Sequence, residues 1–229
     1  MKITENIEVF NEDCNNLMAR YPDGYFDLAI VDPPYGIEDK ISIGGGSHTK
    51  SCVKFHQLYS ENHKKWDFAP KKEYFDKLFK ASKHQIIWGG NYFKLPICRC
   101  FIFWDKLVEV PNFSAGEFAW TSFDKPASKV TIRNTVEIMK AMKTRHRIHP
   151  TQKPVKLYEW ILLNYAKPND KILDTHGGSL SIAIAVDRVN KNEKMNLTLV
   201  ASELDKDYFD ASIKRFGDYK NQLSIYNEI

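Results

Sequence analysis

One short segment of the chain, Asp32-Pro33-Pro34-Tyr35, combines an acid, two prolines and an aromatic ring. The prolines restrict the backbone, so the Asp32 carboxylate and the Pro33 carbonyl can be held side by side as hydrogen-bond acceptors. Two acceptors and a ring suit a flat base that carries an amino group, with one acceptor for each N–H bond and Tyr35 for its face. The simpler alternative is that this segment is only a Pro-Pro turn at the end of a strand, in which Asp32 and Tyr35 occur by chance and have no role in binding.

A second segment, residues 174–181, reads DTHGGSLS and lies between an apolar run and a helix-like stretch. Gly177 and Gly178 would let a ligand approach the backbone, where free N–H groups at a helix start can meet it. Glu203 follows at the end of the next apolar run, where a carboxylate can bind ribose hydroxyls. The pattern indicates a nucleotide-like cofactor, although glycine turns and surface acids at helix starts also occur without ligands.

A third segment, His149-Pro150-Thr151-Gln152-Lys153-Pro154, precedes a helix-like stretch. Pro154 suits the first turn of a helix under any function. The density of polar groups beside a helix start also suits a carboxylate ligand.

The elements that must position these segments alternate along the chain. Apolar, β-branched runs predict buried strands at Ile7–Phe10, Leu28–Val31, Gln85–Trp88, Phe101–Trp104, Lys171–Leu173 and Leu197–Ala201. Helical periodicity predicts helices at Glu73–Ala81, Val155–Ala166, Ile182–Val189 and Tyr208–Phe216. Strands that alternate with helices predict an α/β fold, a doubly wound and mostly parallel sheet in one domain over residues 1–229.

Two segments depart from this alternation. Residues 36–66 are rich in glycine, histidine and lysine and predict a flexible loop directly after the acidic tetrapeptide. Residues 107–148 mix aromatic residues, prolines and a basic tail, and predict a small insertion that recognises a target.

The charge of the chain is uneven. Its net charge is +4, and between Lys125 and Lys156 there are nine lysines or arginines and one acid, Glu137. Such a cluster favours a basic face that meets phosphates, the alternative being a solvated surface.

Other sequence features narrow the class of protein. No apolar run approaches the ~20 residues of a membrane span, and the first residues do not resemble a signal peptide. The cysteines show no metal-ligand spacing, so we expect reduced thiols, no metal and a cytoplasmic protein.

Taken in order along the chain, these motifs resemble the beta group of DNA amino-methyltransferases, in which the D-P-P-Y motif precedes the cofactor glycine turn. The resemblance covers nearly the whole chain. It implies a Rossmann-like sheet in circularly permuted order, S-adenosyl-L-methionine as cofactor, and direct methyl transfer to N6 of a flipped adenine. Residues 88–93 and 103–106 also resemble a compact branch found in phages and mobile elements. The resemblance further implies a restriction–modification setting, and a homodimer is one assembly open to such a chain.

The resemblance carries specific residues with it. Asp32, Pro33, Pro34 and Tyr35 are then the catalytic residues. Asp13, in the opening acidic motif, would meet the cofactor adenine, and Glu203 its ribose. The expected cofactor contacts are Asp13, Asp32, Thr151, Gln152, Lys153, Asp174, His176, Gly177, Gly178, Ser179, Ser181 and Glu203. On the evidence of the charge distribution, the DNA-facing residues are expected to be Lys50, Lys54, Arg133, Lys140, Lys143, Arg145 and Arg147.

Alternatives stay open at this point. The family associates Asp at the first motif position with adenine and Ser with cytosine, so Asp32 favours adenine, and N4 of cytosine is the runner-up. The family's turn reads G-x-G, whereas here Gly178 is followed by Ser179 and Leu180. A leucine there could narrow the cofactor pocket, and a DNA-binding module with impaired catalysis is therefore the alternative from another class.

Overall fold

A single mixed sheet organises the chain in the computed structural model, which describes residues 1–37, 68–107, 114–133, 148 and 152–227, with side chains up to residue 222. The order of the strands across the sheet is β1-β2-β9-β8-β3-β4-β6-β5-β7. The strands are β1 Lys2–Thr4, β2 Ile7–Asn11, β3 Phe26–Val31, β4 Ser82–Trp88, β5 Phe101–Asp105, β6 Gly116–Thr121, β7 Ser128–Thr131, β8 Lys171–Asp174 and β9 Thr198–Glu203. Across the sheet from β2 through β9, β8 and β3 to β4, every neighbouring pair is parallel. The strands β1 and β6 are antiparallel to their neighbours.

Helices cover both faces of the sheet. They are α1 Cys14–Met18, α2 Lys72–Ala81, α3 Val155–Tyr165, α4 Ser181–Glu193 and α5 Lys206–Asn227, with a 3-10 helix at Gly90–Tyr92. The central strand β3 shows how the faces are shared. Leu28 and Ile30 pack in the core that contains α3 and α4, whereas Ala29 and Val31 pack with α1 and α2. Alternate residues of a strand point to opposite faces, so a strand covered on both sides must be apolar throughout.

The predicted α/β, doubly wound and mostly parallel sheet is confirmed. Each strand and helix predicted above is present, and the bounds agree within a few residues except at the end of α5, which continues to Asn227 instead of ending at Phe216. The chain passes from β2 to β3 but leaves room between them for β9 and β8, which come last in the sequence. This is the permuted order, and it creates the crevice at strand carboxyl ends where open α/β sheets hold ligands.

Three strands were not predicted, namely β1, which pairs with β2 at one edge of the sheet, and β6 and β7. Residues 107–148 were expected to form an insertion, yet β6 and β7 lie within this range and belong to the main sheet. β6 pairs with both β4 and β5, so this part of the range is a component of the core. The remaining residues, 108–113, 134–147, 149 and 150, lie outside the described part of the chain, as does the predicted loop apart from Gly36 and Ile37. In the described helices, none combines the length and apolarity that a membrane span requires.

Candidate active site

Four parallel strands place an acidic residue at or just beyond their carboxyl ends. Across the sheet, the acids follow the order Asp13 after β2, Glu203 at the end of β9, Asp174 at the end of β8 and Asp32 after β3. The register supports this arrangement, because Asn11 pairs with Glu203 and Asp174 pairs with Ala201. Acids far apart in the chain thus line one edge of the sheet.

Asp32 stands at the centre of the site. Its Oδ1 accepts a hydrogen bond of 2.7 Å from the Tyr35 hydroxyl, and its Oδ2 accepts one from the Lys153 ammonium. The Asp32 side chain is 14% exposed and that of Lys153 only 2%. Burial raises the pKa of Asp32, and the Lys153 ammonium offsets part of that rise. Pro33 is buried beside it.

Lys153 contacts a second carboxylate. Its Nζ lies 3.1 Å from Oε2 of Glu117, whose other oxygen, Oε1, lies 2.6 Å from Nζ of Lys106. Asp32, Lys153, Glu117 and Lys106 therefore form a chain of alternating charges. Although burial acts in the opposite direction, Lys153 and Lys106 keep the pKa of Glu117 below its usual value.

An aromatic wall stands beside Asp32. The rings of Tyr35 and Tyr92 stack with centroids 5.0 Å apart, and Phe93 meets Tyr35 edge-on at 6.1 Å. Gly89 lies under Tyr35 with a φ of +67°, and a Cβ there would lie 2.3 Å from the Tyr35 ring. Only glycine allows both the backbone conformation and the approach of the ring. Tyr92 is 49% exposed, so the wall is open to a ligand.

On the other side of Asp32, backbone N–H groups hold the acids. Glu203 accepts hydrogen bonds from Gly178 N at 2.8 Å and Asp205 N at 2.9 Å. Asp174 accepts one from His176 N at 3.0 Å, and Asp13 accepts one from Asn15 N at 2.8 Å. Each bond comes from a turn or a helix start, which is where free N–H groups are available.

The glycine turn itself is tightly built. Gly177 N donates to Ser202 O at 2.7 Å, and a Cβ on Gly177 would lie 3.1 Å from Leu180 and 3.3 Å from Ser202 O. Leu180 adopts a φ of +53° at the start of α4, a conformation that glycine favours. Its side chain is fully buried and packs in the core. The expectation that Leu180 could narrow a cofactor pocket stays a prediction.

Ser179 and Ser181 follow the two glycines of this turn, and both are buried. The guanidinium of Arg215, on α5, donates hydrogen bonds to Ser179 O at 2.5 Å and to Ser181 Oγ at 3.2 Å. Their expected contact with a cofactor stays a prediction. Arg215 was not identified from the sequence, because α5 follows the turn by many residues and gives no local signal.

Two neighbours in the turn have opposite pKa shifts. Burial, together with the charges of Asp32 and Glu203, raises the pKa of Asp174 to about 7. Burial lowers the pKa of His176 to about 4, although Asp13 opposes this shift. The His176 ring also contacts Thr175 Oγ1 at 2.9 Å, and that hydroxyl meets the Tyr74 hydroxyl at 2.6 Å.

The remaining predicted residues are placed as follows. Gln152 accepts a hydrogen bond of 3.3 Å from Ile148 N, and Arg133 is exposed just beyond β7. Outside the described residues lie Thr151, Lys50, Lys54, Lys140, Lys143, Arg145 and Arg147. Glu117 was not among the site residues predicted from the sequence. The available signal was the cluster of aromatic and charged residues in the neighbouring segments that contain Lys106 and Tyr92.

In chemical terms, the site offers an ionisable acceptor beside a partly open aromatic stack, and a row of acids along one side. These groups can bind an aromatic amino compound next to a second, polar and hydroxylated ligand.

Comparison with known proteins finds a matching family, a sequence relative and several structures of similar fold. The family model described as DNA methylase, of the N6 and N4 type, matches residues 54–214. Type II methyltransferase M2.MboI of Moraxella bovis is 24% identical over 251 residues, covering 93% of this chain and 89% of that protein. The solved M1.HpyAVI–SAM complex matches with a TM-score of 0.53 and 19% identity, covering 91% of this chain and 99% of that one. The cytosine-N4-specific PvuII DNA methyltransferase matches with a TM-score of 0.58 and 16% identity, covering 93% and 87%. At these identities the solved structures show a shared fold.

Proposed function

The chain belongs to the DNA methylase family, and from this premise we propose that it transfers a methyl group from S-adenosyl-L-methionine to N6 of adenine in DNA. The observation that carries the proposal is the position of Asp32. It lies at a strand end, between the Tyr35–Tyr92 stack and the row of acids formed by Asp174, Glu203 and Asp13.

Asp32 and Pro33 would hold the two N–H bonds of the target amino group. The lone pair of that nitrogen is delocalised into the base, and this arrangement leaves it facing the methyl donor. The nitrogen would gain the methyl group as the carbon–sulfur bond of the donor breaks and leaves a neutral thioether. The Asp32 carboxylate would stabilise the positive charge on the nitrogen, which would then lose one proton to water. The base must leave the helical stack at a cost of a few kcal/mol, and stacking on the aromatic wall of Tyr35 and Tyr92 would return ~1–3 kcal/mol.

The residues along the sheet edge fit the proposed cofactor. When bound, S-adenosyl-L-methionine supplies an electrophilic methyl group on a positively charged sulfur. A half-buried carboxylate at a strand end, Glu203, suits ribose hydroxyls, and the other acids suit the positive charge of the ligand. Gly177 and Gly178 bring the backbone of the turn close to this edge.

Adenine is favoured over cytosine by the residue at the first motif position. Members of this family that modify cytosine usually carry Ser there, whereas this chain carries Asp32. The fold does not separate the two targets, because the cytosine-N4-specific PvuII enzyme shares it.

DNA would meet the basic residues that the sequence analysis singled out. Arg133 is exposed beyond β7 and follows a strand of the same sheet. Phosphate contacts supply most non-specific affinity, and each lost contact lowers the salt slope by roughly one unit. Replacing Lys140, Lys143 and Arg145 by Ala should weaken DNA binding and flatten its salt dependence while cofactor affinity is unchanged. An unaltered salt slope would favour a passive, solvated surface instead.

The decisive experiment identifies the product. Purified protein is incubated with random-sequence DNA and labelled S-adenosyl-L-methionine, and the nucleosides are separated by mass spectrometry. We expect N6-methyladenine, and mapping of the modified positions gives the recognition sequence. N4-methylcytosine as the product would overturn the choice of base, and unlabelled DNA together with measurable cofactor and DNA binding would favour the impaired-module alternative.

A further inference from the structure

Lys153 presents a difficulty for any role of Asp32 as an acceptor. The ammonium already occupies Oδ2 of Asp32, and the Tyr35 hydroxyl occupies Oδ1. Each carboxylate oxygen keeps a second lone pair, so a target amino group would share Asp32 with these donors, and the ammonium would compete with it for the acceptor. The ammonium is almost completely buried, with 2% of the side chain exposed, so it cannot simply move into water.

Glu117 provides the alternative partner. Its Oε2 lies 3.1 Å from the Lys153 ammonium, yet it is buried and has no well-aligned hydrogen bond among the described residues. Its Oε1 is held by Lys106 at 2.6 Å, which fixes the carboxylate in place. A small movement of the Lys153 ammonium would therefore exchange one carboxylate for the other without leaving a buried charge unpaired.

We propose that Glu117 is a positioning residue that takes the Lys153 ammonium from Asp32 when the target amino group binds. This role rests on the proposed function. It also balances the charge that develops during transfer, because the Glu117 carboxylate offsets the positive Lys153 close to the nitrogen that becomes positive. Without Glu117, Lys153 stays on Asp32, competes for the acceptor and opposes the developing charge.

Methyl transfer tests the catalytic part of the role. Glu117→Gln should lower the single-turnover rate at saturating DNA and cofactor by about tenfold or more, with the Kd for cofactor changing less than about threefold. The matched control is Glu159→Gln, because Glu159 also has an arginine or lysine partner, Arg188 at 3.2 Å, and a similar side-chain exposure of 24% against 25%. It should leave the rate within about twofold of wild type.

A cycle in the Lys153→Met background separates this role from general damage to the fold. In this background no ammonium can move from Asp32 to Glu117, and the Glu117 carboxylate only adds a second negative charge near Asp32. Glu117→Gln should then leave the rate unchanged or raise it. The same loss of rate in both backgrounds would overturn the proposal, as would a Glu117→Gln enzyme that is as fast as wild type.

Thermal unfolding of the cofactor-free protein gives a readout that does not depend on activity. Asp32→Asn and Glu117→Gln each leave Lys153 one carboxylate, whereas the double variant leaves the buried ammonium with none. The double variant should lose several degrees more in Tm than the sum of the singles. Additive losses would show that the carboxylates do not share the ammonium and would overturn the inference, while product analysis of wild type judges the proposed function separately.

Discussion

The two halves of the site hold their acids by different means. On the proposed cofactor side, Asp13, Asp174 and Glu203 accept hydrogen bonds from backbone N–H groups of nearby turns. On the proposed catalytic side, Asp32 is held by side chains, one of them the ammonium of Lys153, 121 residues away. Backbone donors are fixed by the fold, whereas side-chain donors can be exchanged. We therefore expect the first half, called the fixed half below, to keep one geometry, and the second, the exchangeable half, to release its partners when a substrate binds.

The largest expected effect comes from the exchangeable half. Asp32→Asn keeps the shape of the side chain but replaces one acceptor oxygen with a donor. We expect the single-turnover rate of methyl transfer to fall by about 10²–10³, the usual cost of removing a group that stabilises developing charge. Cofactor affinity, measured by calorimetry, should change little. Activity above about a tenth of wild type would exclude a direct acceptor role for Asp32.

The fixed half should respond in the opposite way. Glu203→Gln removes the charge that would bind the ribose hydroxyls but keeps an oxygen for the N–H of Gly178. Hydrogen bonds to charged groups contribute about 1.5–3 kcal/mol, so cofactor affinity should fall by roughly 10- to 100-fold. The single-turnover rate at saturating cofactor should stay within about threefold of wild type. A loss of rate as large as that of Asp32→Asn would erase the distinction between the two halves.

The pH dependence of stability tests the fixed half more finely. The pKa of Asp174 is raised from 3.8 to about 7, so the folded state binds more protons than the unfolded state and stability falls as pH rises through this window. The pKa of His176 is lowered from 6.5 to about 4, so stability rises as pH increases between these values. The two effects oppose each other between about pH 4 and 6.5.

Single substitutions should separate the two effects. In Asp174→Asn only the shifted pKa of His176 remains, with Asp13 as the charge that faces it, so the free energy of unfolding should rise with pH. In His176→Gln only the shifted pKa of Asp174 remains, with Asp32, Glu203 and Lys153 facing it, so the free energy of unfolding should fall as pH rises. We expect changes of about 1–2 kcal/mol between roughly pH 5 and 6.5, from urea unfolding of the cofactor-free protein. Equal slopes in the two variants would contradict the assignment of the shifts.

The same contrast explains what the sequence could predict. Residues of the fixed half lie within a few positions of a strand end, so the apolar run and the turn chemistry around Asp174 and Glu203 predict their placement. The Lys153–Glu117 contact depends on the pairing of β6 with β4 and β5. The sequence of β6, GEFAWT, has too little regular alternation to predict a strand, and only its C-terminal half is buried. Register across the sheet, which opposes Glu117 to Trp104 and brings Lys106 near, is not encoded locally.

The smallest effect concerns Leu180, where the fixed half departs from the family's glycine. Its left-handed backbone costs about 1–2 kcal/mol, and its buried side chain repays that cost because Leu→Ala changes in cores lose about 2–5 kcal/mol. Leu180→Ala loses the packing and keeps the strain, whereas Leu180→Gly loses the packing but relieves the strain. The glycine variant should therefore be the more stable of the two, by about 0.5–1 kcal/mol in urea unfolding. Because the leucine side chain points into the core and Gly178 N still holds Glu203, cofactor affinity of the glycine variant should stay within about twofold of wild type. An alanine variant as stable as the glycine variant would show that the turn relaxes on substitution, and that its backbone is less fixed than its hydrogen bonds indicate.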